Sequence, residues 1–180
     1  MNKSNTASGP SRILVVDDQL IIHRYFEEVF KTDDVVLDAA ATGEQALKMI
    51  RTQSYHVLLV DKNLPGISGL ETIRAALPSS PDVEFIIMTG YSSYESALEA
   101  LRLGAFDYLE KPFKNMALIR EKVQRAIVKQ RLSLDNVVLA THLKEALADL
   151  QKIRQQMLAH SADRKEVEVF IKEMANRLSM

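Results

Sequence analysis

Three aspartates, one threonine and one lysine each stand where a short apolar run ends. Asp17 and Asp18 follow RILVV (12–16), Asp61 follows YHVLLV (55–60), Thr89 follows VEFIIM (83–88) and Lys111 follows AFDYLE (105–110). A single aspartate in such a place is usually a turn former or a helix cap. Five positions with complementary chemistry ask for more. Carboxylates held together repel one another, so three of them are costly unless a hard cation neutralises the set. Oxygen ligands with no His or Cys among them favour magnesium or manganese over zinc. With the charge screened, Asp61 could attack a phosphoryl group, Lys111 could pair with one phosphoryl oxygen, and Thr89 could hydrogen-bond another.

The elements that must bring these residues together follow from periodicity. After residues 12–16, apolar side chains at Ile21, Ile22, Tyr25, Phe26, Val29 and Phe30 keep helical spacing over 20–30. The run VVLDA (35–39) precedes a helix capped by Thr42, in which Glu44 and Lys48 stand four apart as a candidate ion pair. Five short apolar runs alternating with five helices predict a doubly wound α/β fold. Right-handed crossovers make its sheet parallel and put helices on both faces, so near-continuous apolar strands such as VLLV and FIIM are expected. In such open sheets ligands bind at the carboxyl ends of the strands, where the five residues stand.

Composition bounds the rest. The chain has 180 residues and no cysteine, which excludes a disulfide framework, a thiolate metal cluster and a thiol nucleophile and suits a reducing cytosol. The opening MNKSNTASGPS lacks the apolar stretch of a secretory signal, and no apolar run approaches the roughly 18 residues of a membrane span. Residues 1–11 read as a flexible arm. All six glycines and all five prolines precede residue 113. Net charge is −6 over 1–113, +5 over 114–131 and 0 over 132–180. A basic excess confined to about five helical turns is a weak nucleic-acid footprint and better fits a solvated helix face that meets an acidic partner.

With the segments DKNLPGISG (61–69), MTGYSS (88–93) and GAFDYLEKPF (104–113), the chain resembles the receiver domain of two-component response regulators over about residues 12–131. Separations of 43, 28 and 22 residues between Asp18, Asp61, Thr89 and Lys111 match that family's order and approximate spacing. The resemblance implies a flavodoxin-like sheet of order 2-1-3-4-5. It implies phosphotransfer onto Asp61 from a histidine kinase or phosphotransfer protein, catalysed by the receiver itself, with no enzymatic activity beyond its own phosphorylation and autodephosphorylation. It implies Mg²⁺ (or Mn²⁺) held by Asp17, Asp18, Asp61 and the backbone carbonyl of Asn63, Lys111 as phosphoryl partner, and Thr89 and Tyr108 as the switch pair. A charge gained at Asp61 would then reshape the face built by the fourth helix, fifth strand and fifth helix. The Lys111–Pro112 peptide is expected to be cis. Leu64, where the family often has Met, and Gly90, where Ala is commoner, remove no ligand or donor. Lys62 and Asn63 line the approach to Asp61 and should tune the phosphoryl lifetime.

Residues 113–131 read as the receiver's last helix. The remaining segment, 132–180, has no Gly or Pro and repeats apolar residues at many intervals of three or four. Ser133 to Asn136 offers a cap for a second helix to about 159, and Asp163 with Glu166 a capping-box-like start for a third. Such a one-sided stripe cannot make a core alone, so a helical hairpin or coiled-coil extension that forms a homodimer is expected. Packing onto its own receiver is the competing arrangement. Two other readings compete for function. A short Fis-like helix-turn-helix would make the chain a DNA-binding transcriptional regulator, but 141–180 lacks a turn glycine and is nearly charge-balanced. A phosphorelay role for His142 rests on THLKE (141–145), whose spacing does not match phosphotransfer helices. No role is assigned to His23, His56 or His160. The expected partners are thus a kinase and a downstream protein in the cytoplasm, with duplex DNA and membranes not expected.

Overall fold

Alternation along three strands decides how the receiver packs. In β1 (Ser11–Val16), β3 (Val57–Asp61) and β4 (Glu84–Thr89) nearly every residue is buried, because both sheet faces are covered. Leu14, Val16, Leu58, Val60, Phe85 and Ile87 face one core, built with Ala46, Ile50, Leu70 and Ile73. Their neighbours Ile13, Val15, Val57, Leu59, Ile86 and Met88 face the other, with Phe26, Val29, Ile119, Val123 and Ile127. β2 (Val35–Ala40) is half-buried, as befits an edge, and β5 (Asp107–Glu110) closes the opposite edge. All pairings are parallel and the order is β2-β1-β3-β4-β5, as the resemblance implied.

This computed structural model describes residues 9–90, 100 and 102–178. The first eight residues of the expected arm lie outside them. So do most of the expected fourth helix and the last three residues of MTGYSS, although Ala100 and Arg102 are helical. The described helices are α1 (Leu20–Phe30), α2 (Gly43–Thr52), α3 (Gly69–Ala76) and α4 (Met116–Leu178). Among them, none is long and apolar enough to cross a membrane.

Local chemistry sets the helix starts. Thr42 caps α2 as its sequence suggests, its hydroxyl accepting from the Gln45 amide. Glu44 does not pair with Lys48. Its carboxylate instead accepts from the Ile67 amide at 3.2 Å, and hydrogen bonds from its own backbone amide and then from that of Ile67 hold its pKa below the usual carboxylate value. That tie crosses from α2 to the loop before α3. Ser68 and Glu71 form a full capping box on α3.

The tail corrects one expectation. The chain divides into two compact units, 1–134 and 135–180, yet the secondary structure from Met116 to Leu178 is one helix of 63 residues. Neither the cap at Ser133 to Asn136 nor the one at Asp163 starts a new helix, so the hairpin does not form. The physical reason is that Ser, Asn and Asp cost only up to about 0.7 kcal/mol each in a helix interior, whereas Gly or Pro would cost more and none is present. In this segment Thr141 returns its hydroxyl to the Val137 carbonyl.

One polar tie outside the site gives a pH prediction. His56 Nδ1 accepts from the Arg12 amide at 3.0 Å, while the His56 amide donates to the Arg12 carbonyl at 2.9 Å. Burial, then the Arg131 charge, push the His56 pKa below 6.5, and protonating Nδ1 would also end the bond it accepts. A folded pKa below the unfolded one contributes stability that is complete above about 6.5 and is lost as pH falls through the folded value. Thermal unfolding midpoints should therefore drop on acidification below about pH 6.5, and the drop should shrink in His56→Asn, whose amide oxygen can replace Nδ1 without titrating. An unchanged slope in the variant would rule this out.

Candidate functional site

The register aligns the strand ends that carry the chemistry. Val16 pairs with Val60, Asp61 with Met88, and Thr89 with Glu110, so Asp17, Asp61, Thr89 and Lys111 share one edge of the sheet. Backbone bonds continue past those ends. The Asp17 amide donates to Ala40 O, the Lys62 amide to Met88 O and the Lys111 amide to Thr89 O, at 3.0, 2.9 and 2.8 Å.

The side chains converge there. Lys111 Nζ donates to Asp17 Oδ2 at 2.6 Å and to Asp61 Oδ2 at 2.9 Å. Asp17 is 0% exposed and its other oxygen accepts the Gln19 amide at 3.0 Å. Asp18 is exposed, yet oxygens of Asp17, Asp18 and Asp61 lie within 4.8 Å of one another. Asn63 meets the cluster through its backbone amide, 3.4 Å from Asp61 Oδ1. Thr89 is buried at the end of β4, and the Lys111–Pro112 peptide is cis. Tyr108 is 42% exposed and its ring lies under Lys122 Nζ, 5.1 Å from the centroid. Leu64 is buried in the core beside α3, and His142 is exposed on the helix of the second unit.

Electrostatics follow from this crowding. Burial pushes the Asp61 pKa up; Lys111 and the Asn63 amide pull it down, and the Asp17 charge adds to the rise, leaving it above the usual carboxylate value. For Lys111, burial alone would lower the pKa, but bonds to Asp17 and Asp61 outweigh it and the ammonium is held more firmly than usual. One ammonium thus bridges two of three neighbouring carboxylates and neutralises only one of their charges. The remaining negative charge and the oxygen-only donor set suit a hard divalent cation.

Two contributors were not legible in the sequence reading. Gln19 supplies the amide that fixes Asp17, and nothing in its side chain signals this. Gly69 is the other. A Cβ built there would lie 2.0 Å from the Asp61 carbonyl oxygen and 3.0 Å from a Val60 methyl, so only glycine lets α3 start against the end of β3. Its signal was the PGISG run, where Gly66, at φ 78°, makes the turn. Gly69→Ala should lower stability by about 1–3 kcal/mol and weaken Mg²⁺ binding, because the backbone carrying Asp61 must shift. Denaturant titration with and without Mg²⁺ checks both, and wild-type values would contradict the contact.

Comparison with known proteins agrees with this geometry. The family model described as response regulator receiver domain matches residues 13–124. The transcriptional regulatory protein ZraR of Escherichia coli K12 is 36% identical over 112 residues, covering 61% of this chain and 25% of that protein. A protein-glutamate methylesterase/protein-glutamine glutaminase of Halalkalibacterium halodurans is 29% identical over 147 residues, covering 80% of this chain and 42% of its own length. Among solved structures, a CheY-like receiver domain protein from Methanospirillum hungatei JF-1 superposes with a TM-score of 0.65 at 29% identity, covering 69% of this chain and 99% of that one. The chain spans less than half the length of these curated relatives. Fold, strand-end chemistry and family match converge on one conclusion: through residues 13–124 the chain belongs to the response regulator receiver domain family.

Proposed function

We propose that Asp61 is the phosphoacceptor of a two-component relay, and the observation that carries this is the Lys111 bridge between Asp17 and Asp61 inside a cluster of three carboxylates. A carboxylate oxygen of Asp61 attacks the phosphorus of a kinase or phosphotransfer-protein phosphohistidine. The P–N bond breaks, the imidazole nitrogen keeps the electron pair, and an acyl phosphate forms on Asp61. Lys111 exchanges its contact with Asp61 for a phosphoryl oxygen, and the Thr89 hydroxyl donates to another. Asp17, Asp18, Asp61 and the Asn63 carbonyl would hold Mg²⁺ (or Mn²⁺), which when bound neutralises phosphoryl oxygens. The donor set fits such an ion, since these carboxylates carry more negative charge than Lys111 balances.

The output reading follows from the surface. Tyr108 and Thr89 form the switch, and the cleft lined by Tyr108, Pro112, Leu118 and Lys122 lies on the face that would change for a downstream protein. Lys62 and Asn63 tune water access to the acyl phosphate. The chain has no catalytic role beyond forming and losing that phosphate, it acts in the cytoplasm, and its tail forms a homodimer. The test is thermal stabilisation by beryllofluoride, a phosphoryl mimic. The melting temperature should rise with beryllofluoride only when Mg²⁺ is present, and a rise unaffected by chelation would oppose the reading. A pull-down with the same mimic then identifies the partner.

The names of relatives such as ZraR favour a second reading, in which the protein regulates transcription. Binding of duplex DNA that strengthens with beryllofluoride would support it over an output through protein contacts alone.

A further inference from the structure

From the end of the receiver into the second unit, large apolar side chains stand exposed. Leu132, Leu139, Leu143, Leu150 and Ile153 are each more than half exposed, Leu150 at 62%. They share one seam. Starting at Leu132, alternate steps of four and three residues reach Asn136, Leu139, Leu143, Ala146, Leu150, Ile153 and Met157, and continue to Val167, Ile171, Met174 and Leu178. The only polar positions on it are Asn136, His160 and Arg164. Extended the other way, the same steps land on Lys129 and Arg125, so the seam begins where the side chains of the receiver core (Ile119, Val123, Ala126, Ile127) end.

In heptad terms Leu132, Leu139, Ala146 and Ile153 occupy d, and Asn136, Leu143, Leu150 and Met157 occupy a. A lone asparagine at an a position among apolar neighbours is costly unless it meets its own copy. In a parallel, in-register pair the two amides face each other and one N–H donates to the other's carbonyl oxygen, which sets register and strand number. In an antiparallel pair centred on this seam, Asn136 would face Met174 and lose that partner. Flanking charge agrees with the parallel arrangement. Asp149 at g stands five residues before Arg154 at e, so two Asp149 to Arg154 pairs form across the interface. Asp163 and Glu168 oppose each other in the same scheme, beside the polar layer of His160 and Arg164, which leaves residues 132–157 as the strong part of the zipper.

We infer that the tail pairs with a second copy of this chain as a parallel two-stranded coiled coil whose register is set by Asn136. The inference rests on the homodimer reading above and adds direction and register to it. Because the chain has no cysteine, a single introduced thiol reports geometry. Leu143→Cys in the full chain should oxidise to a covalent dimer, with Leu150→Cys as a second variant in case the first fails to fold. A mixture of Leu143→Cys and Val167→Cys reports the antiparallel arrangement, since that pairing brings residues 143 and 167 together. Sedimentation of the unmodified chain separates the two ideas. A monomer at every concentration overturns the homodimer reading and the zipper with it. A dimer whose thiols link 143 to 167 keeps the homodimer and overturns the parallel register. Asn136→Leu should tighten association by about tenfold or more and add trimer or tetramer mass. Unchanged mass and affinity would remove Asn136 from the seam.

Discussion

Asp61→Asn should abolish phosphoryl incorporation from a small-molecule phosphodonor while the chain stays folded. The amide cannot act as the nucleophile, and Asp17 does not replace it, being fully buried and held by Lys111 and the Gln19 amide. The effect on stability has the opposite sign to that of most changes at buried positions. Because Asp61 has its pKa raised in the fold, its protonation contributes stability at acid pH that is lost as pH rises through the folded value. At neutral pH its ionised form is therefore a net cost without metal, and the asparagine variant should unfold at a higher temperature than the metal-free wild type. The gap should widen as pH rises above the ordinary carboxylate range and narrow when Mg²⁺ is added to the wild type. A radiolabelled phosphodonor reads the first part and calorimetry the second. Label retained on the variant would move the acceptor elsewhere.

Lys111→Met should be the most damaging change that leaves the nucleophile in place. The Lys111 side chain is 14% exposed and its ammonium joins two carboxylates, so its loss strands both charges in a poorly solvated site. Removing one partner of a buried ion pair costs about 3–5 kcal/mol, and most of that should appear in the metal-free protein. Mg²⁺ should restore much of it, since a ligand at 100 times its dissociation constant stabilises the state it binds by about 2.7 kcal/mol. Transfer should nevertheless slow by about 10²–10³, the scale of losing one positioned donor to a developing charge. Lys111→Arg keeps the charge with a different reach and separates the two effects: stability near the wild type, transfer still slow. A methionine variant that transfers at the wild-type rate would contradict the role given to Lys111.

What could be read in advance divides along physical lines. The apolar strands, the Thr42 cap and the carboxyl-end position of Asp17, Asp61, Thr89 and Lys111 are local patterns, and a parallel sheet turns them into one edge without further information. The Ser68 capping box is equally local, a serine three residues before a glutamate. Glu44 shows the limit of spacing arguments. An exposed i,i+4 pair contributes only about 0.3–0.5 kcal/mol, so a backbone amide from a distant loop outcompetes it. Contacts such as Arg120 with Asp33, or Arg131 with the Ser11 hydroxyl, join residues about ninety or more positions apart and leave no local trace. The helix starts expected at Ser133 and Asp163 fail for a different reason. Ser133 and Asp163 favour caps, but without Gly or Pro nearby nothing stops a helix already under way.

A phosphoryl group received by the strand-end cluster on Asp61 can be mapped to its residue. The unmodified chain is incubated with Mg²⁺ and a small-molecule phosphodonor, then treated with borohydride, which reduces an acyl phosphate and leaves a phosphohistidine untouched. Peptide mass spectrometry should find one reduced aspartate, at position 61, only in the sample that contained Mg²⁺. A phosphoryl group on His142, on another carboxylate, or on Asp61 without any metal would contradict the account.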